Sequence, residues 1–474
     1  MKAGWVVTLL AVSSVAGAGA TVEGDWHGVL DTGAIQLRVG LHIARGSDGS
    51  LSAKFDSYDQ NAVGLTVDRV SFDGSRLSFE MTGLNAHYEG TLSADGSNIE
   101  GTFTQGGANL PLTLERGSSA AVKHPQEPKP PFPYRAEDVS YENKAAGVKL
   151  AGTLTIPDGT GPFPAVLLIT GSGPQDRDET IFGHKPFLVI ADHLTRAGIA
   201  VLRVDDRGVG KSTGDLQQST LEDLTGDVLT GMGYLKSRKE VDSKRIGLIG
   251  HSEGGLIAPL AVSRSSDVAF IVMLAGPAVK GEELLYAQAA AMDRAMGADE
   301  MAIATNREVQ EKMFAIIEKN GANVATAEKE LHALVDGMKG GLSDSQKQAL
   351  DRMMNAQIHQ VLTPAFRYYL NYDPVPALKK VKCPVLALNG SHDRQVPPEQ
   401  NLPAIAAALA AGGNPDYEIA ELPRLNHLFQ TSKTGALSEY SQIEETFSPQ
   451  ALDAMTDWIL RHVATSRVPQ SARK

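Results

Sequence analysis

Ser252 in GHSEGG, Asp393 in GSHDRQVP and His427 in LNHLFQ are the residues whose types and order are suited to attack on a carbonyl carbon. A serine hydroxyl is a weak nucleophile until a base takes its proton. An imidazole serves as that base when a carboxylate fixes its tautomer and stabilises its cation. Here His427 Nε2 is expected to accept the Ser252 proton while Asp393 holds the ring. The order Ser, Asp, His is the one required when a Gly-x-Ser-x-Gly turn joins a strand to a helix at the edge of an α/β sheet.

That string is common by chance, so its flanks decide. RIGLIG before it is a continuous apolar run of the kind buried in a parallel sheet, and EGGLIAPLAVSR after it starts a helix, with Pro259 limiting the early hydrogen bonds. Gly250 and Gly254 suit a turn in which backbone segments come too close for larger side chains. Such a turn presents the Ser252 hydroxyl near the positive end of the helix, where a developing anion is favoured. Two backbone N–H groups should meet that anion. One is assigned to Glu253, the residue after the nucleophile, and the other to Ser172 in GSGPQDRDE, where Gly171 and Gly173 allow close approach.

Other residues compete for these roles. Asp205 or Asp206 could replace Asp393 as the acid, and His392 could titrate in place of His427. DDRGVGKSTG (205–214) imitates a phosphate loop, but Asp205 stands where the first glycine is required and no helix starts directly after Lys211-Ser212. It reads as a structural turn with Arg207 in an ion pair.

The elements that must position these groups follow an α/β pattern. Buried-strand runs recur at 164–170, 199–206, 245–252, 269–276 and 384–390, with YEIAELP (417–423) as a last strand and VKLAGTLTIP as an earlier hairpin strand. Helical segments between them imply a mostly parallel sheet with right-handed crossovers. Residues 280–362 interrupt the alternation with amphipathic helices, whose apolar faces carry Leu285, Ala289, Met292 and Met296, then Val309, Met313, Ile316 and Ile317, then Leu350, Met354, Ile358 and Val361. This block is expected to form a helical cap over one end of the sheet.

Upstream, residues 21–116 alternate with period two between turns such as Asp73-Gly74 and Asp95-Gly96, which predicts a small antiparallel barrel or sandwich packed as an accessory domain. Prolines 125, 128, 130, 131 and 133 mark residues 117–133 as an extended, semi-rigid linker, and the catalytic domain occupies 134–474. At the start of the chain, Lys2, the apolar stretch Val6–Val15 and Ala18-Gly19-Ala20 read as a secretory signal peptide over residues 1–20, too short for a spanning helix. The expected protein is exported, periplasmic or secreted, with no integral membrane segment once mature. A net charge of −12 with no long basic run argues against a nucleic-acid partner, and the single cysteine, Cys383, excludes an intrachain disulfide or a multi-cysteine metal site.

GHSEGG, GSGPQDRD, DDRGVGKSTG, LNGSHDRQVP and NHLFQ together resemble the α/β-hydrolase superfamily. More narrowly, they resemble bacterial exported serine esterases related to its prolyl-oligopeptidase-like and dienelactone-hydrolase-like branches. The resemblance covers roughly residues 138–465. It implies hydrolysis of small carboxylic esters, commonly of short acyl groups, with no metal or organic cofactor. PAFRYYLNYDP (364–374) looks like the segment at the end of the cap in that group, which implies that Tyr368, Tyr369 or Tyr372 lines the pocket. A serine exopeptidase using the same triad, and a non-catalytic binding protein that kept the fold, are the competing readings. Nothing in the sequence sets the oligomeric state.

Overall fold

Alternating apolar and polar side chains carry the chain through nine antiparallel strands before the character of the sequence changes. The computed structural model describes residues 21–32, 36–46, 48–60, 62–106, 108–117 and 123–464, so the leader expected over 1–20 lies outside the described residues. Two compact units divide near residue 120.

The first unit is a single sheet of β1 (Gly24–Asp31), β2 (Gln36–Arg45), β3 (Leu51–Ser57), β4 (Ala62–Thr66), β5 (Arg69–Phe72), β6 (Arg76–Met81), β7 (Ala86–Leu92), β8 (Asn98–Gln105) and β9 (Ala108–Arg116). Its order is β4-β3-β2-β1-β9-β8-β7-β6-β5, and it curls so that β5 returns against β3. The inward positions carry Trp26, Leu41, Phe55, Phe79, Tyr88 and Phe103, all buried. Phe55 lies 5.8 Å from Phe79 and 5.7 Å from Phe103 between ring centroids. Aromatic side chains therefore fill this interior. Gly74 and Gly96 hold positive φ in their turns, as the hairpin signals require.

The second unit is a sheet of β10 (Arg135–Asn143), β11 (Val148–Ile156), β12 (Phe163–Ile169), β13 (Ala200–Val204), β14 (Val241–His251), β15 (Ile271–Leu274), β16 (Val385–Gly390) and β17 (Tyr417–Leu422). The order is β10-β11-β13-β12-β14-β15-β16-β17, antiparallel as far as β13 and parallel from there on. Helices α1 (Pro186–Arg196), α2 (Leu221–Ser237) and α3 (Gly254–Val262) follow β12, β13 and β14. One apolar cluster joins α2 and α3 to the sheet, and a second joins α1 and the C-terminal helix to it, so helices cover both faces. That is the α/β-hydrolase architecture, and it accounts for strands that are apolar on both sides.

Between β15 and β16 the chain leaves the sheet for α4 (Gly281–Ala295), α5 (Glu300–Asn320), α6 (Val324–Met338), α7 (Asp344–Val361) and α8 (Pro364–Asn371). Met313, Phe314, Ile317, Leu331, Val335, Met354, Ile358 and Val361 form the core of this cap. Met296, expected on the apolar face of α4, is 47% exposed just beyond the last turn of that helix. The insertion closes on itself, because Gly281 N–H donates to the Tyr372 carbonyl at 3.0 Å. A β-carbon on Gly281 would lie 1.9 Å from the Tyr369 carbonyl oxygen. After the cap come α9 (Val375–Leu378), α10 (Pro398–Ala411), α11 (Leu437–Tyr440) and α12 (Pro449–Ala464).

The described part of the proline-rich segment, expected to be an extended, semi-rigid linker, is tied down at one side chain. The Gln126 side chain donates to the Phe447 carbonyl at 2.7 Å and accepts from the Thr446 and Phe447 N–H groups at 2.6 and 3.1 Å. Three hydrogen bonds thus join this one carboxamide to residues 446 and 447. No helix among the described residues is long and apolar enough to cross a membrane. Cys383 is half-buried and its thiol is pushed up to about 12 by burial, which leaves it unreactive.

Close backbone approach is the constraint at the end of β14. A β-carbon on Gly250 would lie 2.0 Å from the Gly254 carbonyl oxygen, and one on Gly254 would lie 2.2 Å from that of Ile169. Gly250→Ala is therefore expected to cost about 1–3 kcal/mol or more of stability, read as a lowered Tm in a thermal melt together with loss of activity.

Candidate active site

Ser252 sits at the turn between β14 and α3 with φ of 52°, the left-handed region that costs a non-glycine residue roughly 1–2 kcal/mol. The surroundings hold it there. Its N–H donates to the Leu274 carbonyl at 2.8 Å, and its carbonyl accepts from Gly255 N–H at 2.8 Å. Strain of this kind, maintained by neighbouring hydrogen bonds, is common where a side chain must be presented for chemistry. Ser252 Oγ makes no hydrogen bond to any described residue, His427 included, and the residue lines a cavity beneath the cap. Nucleophile–base contacts are often loose before substrate binds.

Asp393 follows β16 and His427 follows β17, and the fold brings the two together. His427 Nδ1 lies 2.8 Å from Asp393 Oδ2, with the residues 4% and 1% exposed. The other carboxylate oxygen accepts the backbone N–H groups of Gln395 and Val396, both at 2.8 Å. Asp393 is thus committed as an acceptor at both oxygens, which assigns the proton to His427 Nδ1 and leaves Nε2 with a lone pair. Of the competing groups, Asp205 pairs with Arg177 at 2.7 and 2.9 Å. Asp206 accepts from Thr170 Oγ1 at 2.7 Å and from Gln175 N–H at 3.0 Å. These two acids brace the loop carrying Ser172. His392 Nδ1 faces the Ser432 carbonyl at 3.1 Å, and Arg207 pairs with Asp227.

Ser172 and Glu253 both line the Ser252 cavity, and neither backbone N–H is engaged by another described residue. Gly171 N–H is taken, donating to Glu179 Oε1 at 2.6 Å. The cavity measures about 560 Å³ and is walled by α4, the α7–α8 corner and the segment before α2, with Leu284, Leu285, Leu216, Leu221, Phe366 and Tyr369 among its apolar contacts. Of the three tyrosines, Tyr369 alone is among the lining residues. The Tyr368 hydroxyl donates to Glu222 Oε1 at 2.7 Å, and its ring stacks on Tyr372 at 5.9 Å. Residues 368 and 372 share one face by the i,i+4 relation, which turns them away from the direction of 369.

Two features escape sequence reasoning. The first is the pair formed by His251 and Glu179. Glu179 lies within an acidic run and carries no motif signal. The second is the Glu253 side chain. Burial pushes its carboxyl up to about 7, and no described residue hydrogen-bonds it. It is the one carboxyl on the cavity wall, where no lysine or arginine is found among the described residues. No group of described residues is arranged to hold a metal ion.

Sheet, elbow and cap define an α/β-hydrolase. A family model described as serine aminopeptidase, S33 (Hydrolase_4) matches residues 186–431, a little over half of the chain, and the chain belongs to that family. Esterase EstD of Thermotoga maritima is 37% identical over 181 residues, 37% of this chain and 43% of EstD, so the match spans less than half of that relative. An uncharacterised 31.7 kDa protein of Escherichia coli is 25% identical over 66% of this chain and 96% of its own length. Among solved structures, the α/β-hydrolase GrgF of Penicillium sp. sh18 aligns at 18% identity with a TM-score of 0.44, covering 70% of this chain and 99% of GrgF. The Pyrococcus furiosus esterase Pf2001 aligns at 18% identity with a TM-score of 0.42, covering 73% and 98%.

Glu253 also sets a pH dependence. Its folded pKa, near 7, lies above the ordinary glutamate value of 4.5. Between those values the folded state holds more protons than the unfolded one, so stability falls as pH rises through that window and stays reduced above it. Glu253→Gln removes this penalty. The variant is expected to melt above the wild type at pH 8 and to lose that advantage at pH 4.5, as measured by paired thermal melts.

Proposed function

We propose that this protein is a serine carboxylesterase that cleaves small esters of short acyl groups through an acyl-enzyme on Ser252. The observation that carries the reading is the buried 2.8 Å contact between His427 Nδ1 and Asp393 Oδ2, on loops that flank the strained Ser252 turn. His427 Nε2 takes the Ser252 proton as Oγ attacks the ester carbonyl. The oxyanion of the tetrahedral intermediate accepts from the N–H groups of Glu253 and Ser172. His427 then returns the proton to the leaving alcohol, and water repeats the sequence to release the acid. Neither half-reaction draws on a metal or an organic cofactor. Tyr369 and the leucines around it exclude water and contact the acyl or alcohol portion. The family likeness and the 37% identity to EstD support the ester assignment. The leader-like residues 1–20 support export to the periplasm or medium.

A second reading has its own support. The family model is described as a serine aminopeptidase, and the unpartnered Glu253 carboxyl on the cavity wall is a group to which a substrate amine could bind. A panel of nitrophenyl esters against aminoacyl anilides separates the two, and turnover of acetyl and butyryl esters is expected to dominate. Faster anilide turnover would replace the esterase reading. Ser252→Ala is expected to lower kcat by about a millionfold, and a variant keeping a tenth of wild-type activity would remove Ser252 from the mechanism.

A further inference from the structure

His251 and Glu179 are buried beside the proposed triad but take no part in the steps above. His251 Nδ1 lies 2.9 Å from Glu179 Oε1, and its Nε2 lies 2.9 Å from the backbone carbonyl oxygen of His427. The same Glu179 oxygen accepts Gly171 N–H at 2.6 Å. One carboxylate and one imidazole therefore touch three segments: the loop carrying Ser172, the turn carrying Ser252, and the loop carrying His427. Glu179 itself holds a φ of 53°, so its own backbone is constrained to reach this position.

The hydrogen-bond geometry also fixes a proton. A neutral imidazole has one N–H and one lone pair, yet His251 faces an acceptor at each nitrogen. The carbonyl of His427 has no proton to give, so Nε2 must donate. The contact at Nδ1 then needs a second proton, which places an imidazolium against the Glu179 carboxylate. Burial opposes that charge, but the facing carboxylate and its hydrogen bond outweigh the cost and raise the His251 pKa. The groups facing the pair are the His427 ring, 4.8 Å away between centroids, Asp393 behind it, and Asp206 on the Glu179 side. The other packing groups are apolar: Pro186, Phe187, Leu274, Leu428 and Phe447.

We propose that the His251–Glu179 pair is a positioning element for the Ser252 chemistry, a charged brace that fixes the three catalytic loops relative to one another. The inference rests on the serine hydrolase reading of the site. The positive ring also faces the His427 ring, 4.8 Å away between centroids, so removing its charge changes the field at the proposed base. A base misplaced by an ångström costs about a hundredfold, which sets the scale of the effect.

The test uses His251→Asn, which cannot reach the His427 carbonyl as the imidazole does, and Glu179→Gln, which removes the charge but keeps an acceptor for Gly171 N–H. Both are assayed on one nitrophenyl ester from pH 5 to 9, with circular dichroism for folding and fluorophosphonate labelling of Ser252. The expected result is a kcat lowered about 10–100-fold with KM within twofold of wild type, and an acid limb of kcat/KM moved to higher pH in both variants. Should His251→Asn fail to fold, Glu179→Gln carries the test. Folded variants with kcat within twofold of wild type and an unmoved acid limb would overturn the brace. Wild-type protein left unlabelled at Ser252 would instead remove the serine reading, and the brace with it.

Discussion

A single residue in the left-handed region, Ser252, is the point on which the catalytic half of the molecule depends. Its φ of 52° turns the chain from β14 into α3 within one residue, and that turn needs Gly250 and Gly254 to lie almost in contact. The turn leaves Ser252 and Glu253 together on the wall of the cavity beneath the cap. The apolar strands on either side lock β14 in place, so the cost of the turn is met by packing elsewhere in the sheet. The order of the strands then does the rest. β16 and β17 lie beyond β15 on the same side, and the loops at their ends deliver Asp393 and His427 toward the turn.

Buried charge is handled differently on the two sides of Ser252. On the loop side, Asp205, Asp206, Asp227 and Glu179 each have hydrogen-bond or ion-pair partners, and together with Arg177, Arg207 and His251 they stiffen the backbone around Ser172. On the cap side the wall is leucine, phenylalanine, tyrosine and carboxamide with the imidazole of His359, and Glu253 beside Ser252 is the one carboxyl of the cavity among the described residues. The paired charges therefore gather on the loop beside Ser252, and the apolar and carboxamide side chains on the wall that the cap supplies.

Much of this was legible in the sequence, and the exceptions have physical causes. Strands β12 to β16 announced themselves because a strand buried on both faces reads as an unbroken apolar run. Ser252 and Asp393 stood out as candidates because each follows such a run, and His427, after the part-exposed YEIAEL, because the chain order Ser, Asp, His is restrictive. β10 escaped notice because Arg135, Glu137 and Asp138 give an edge strand the composition of a surface loop. Tyr368, Tyr369 and Tyr372 could not be separated by residue type, although the roughly 100° between successive helix positions already implied that neighbours face different ways. Glu179 was invisible, since its partners are set by the fold and not by spacing. Gln126 was hidden by the prolines around it, which speak for an extended chain but say nothing of what it lies against.

The clasp between Gly281 and Tyr372 has a consequence for how such a molecule changes over time. The five cap helices depart from the sheet and return to it at one hydrogen-bonded point, so the ends of the insertion are already closed. Beyond that junction, α8 also meets α2 through the Tyr368–Glu222 hydrogen bond, so the last cap helix is tied to the sheet's own helices while α5 and α6 are held within the cap. Helices within the insertion are free to lengthen, shorten or be exchanged while the reacting groups stay where the strands put them. The insertion is thus built like a cassette, with its ends clipped together and its middle free to vary.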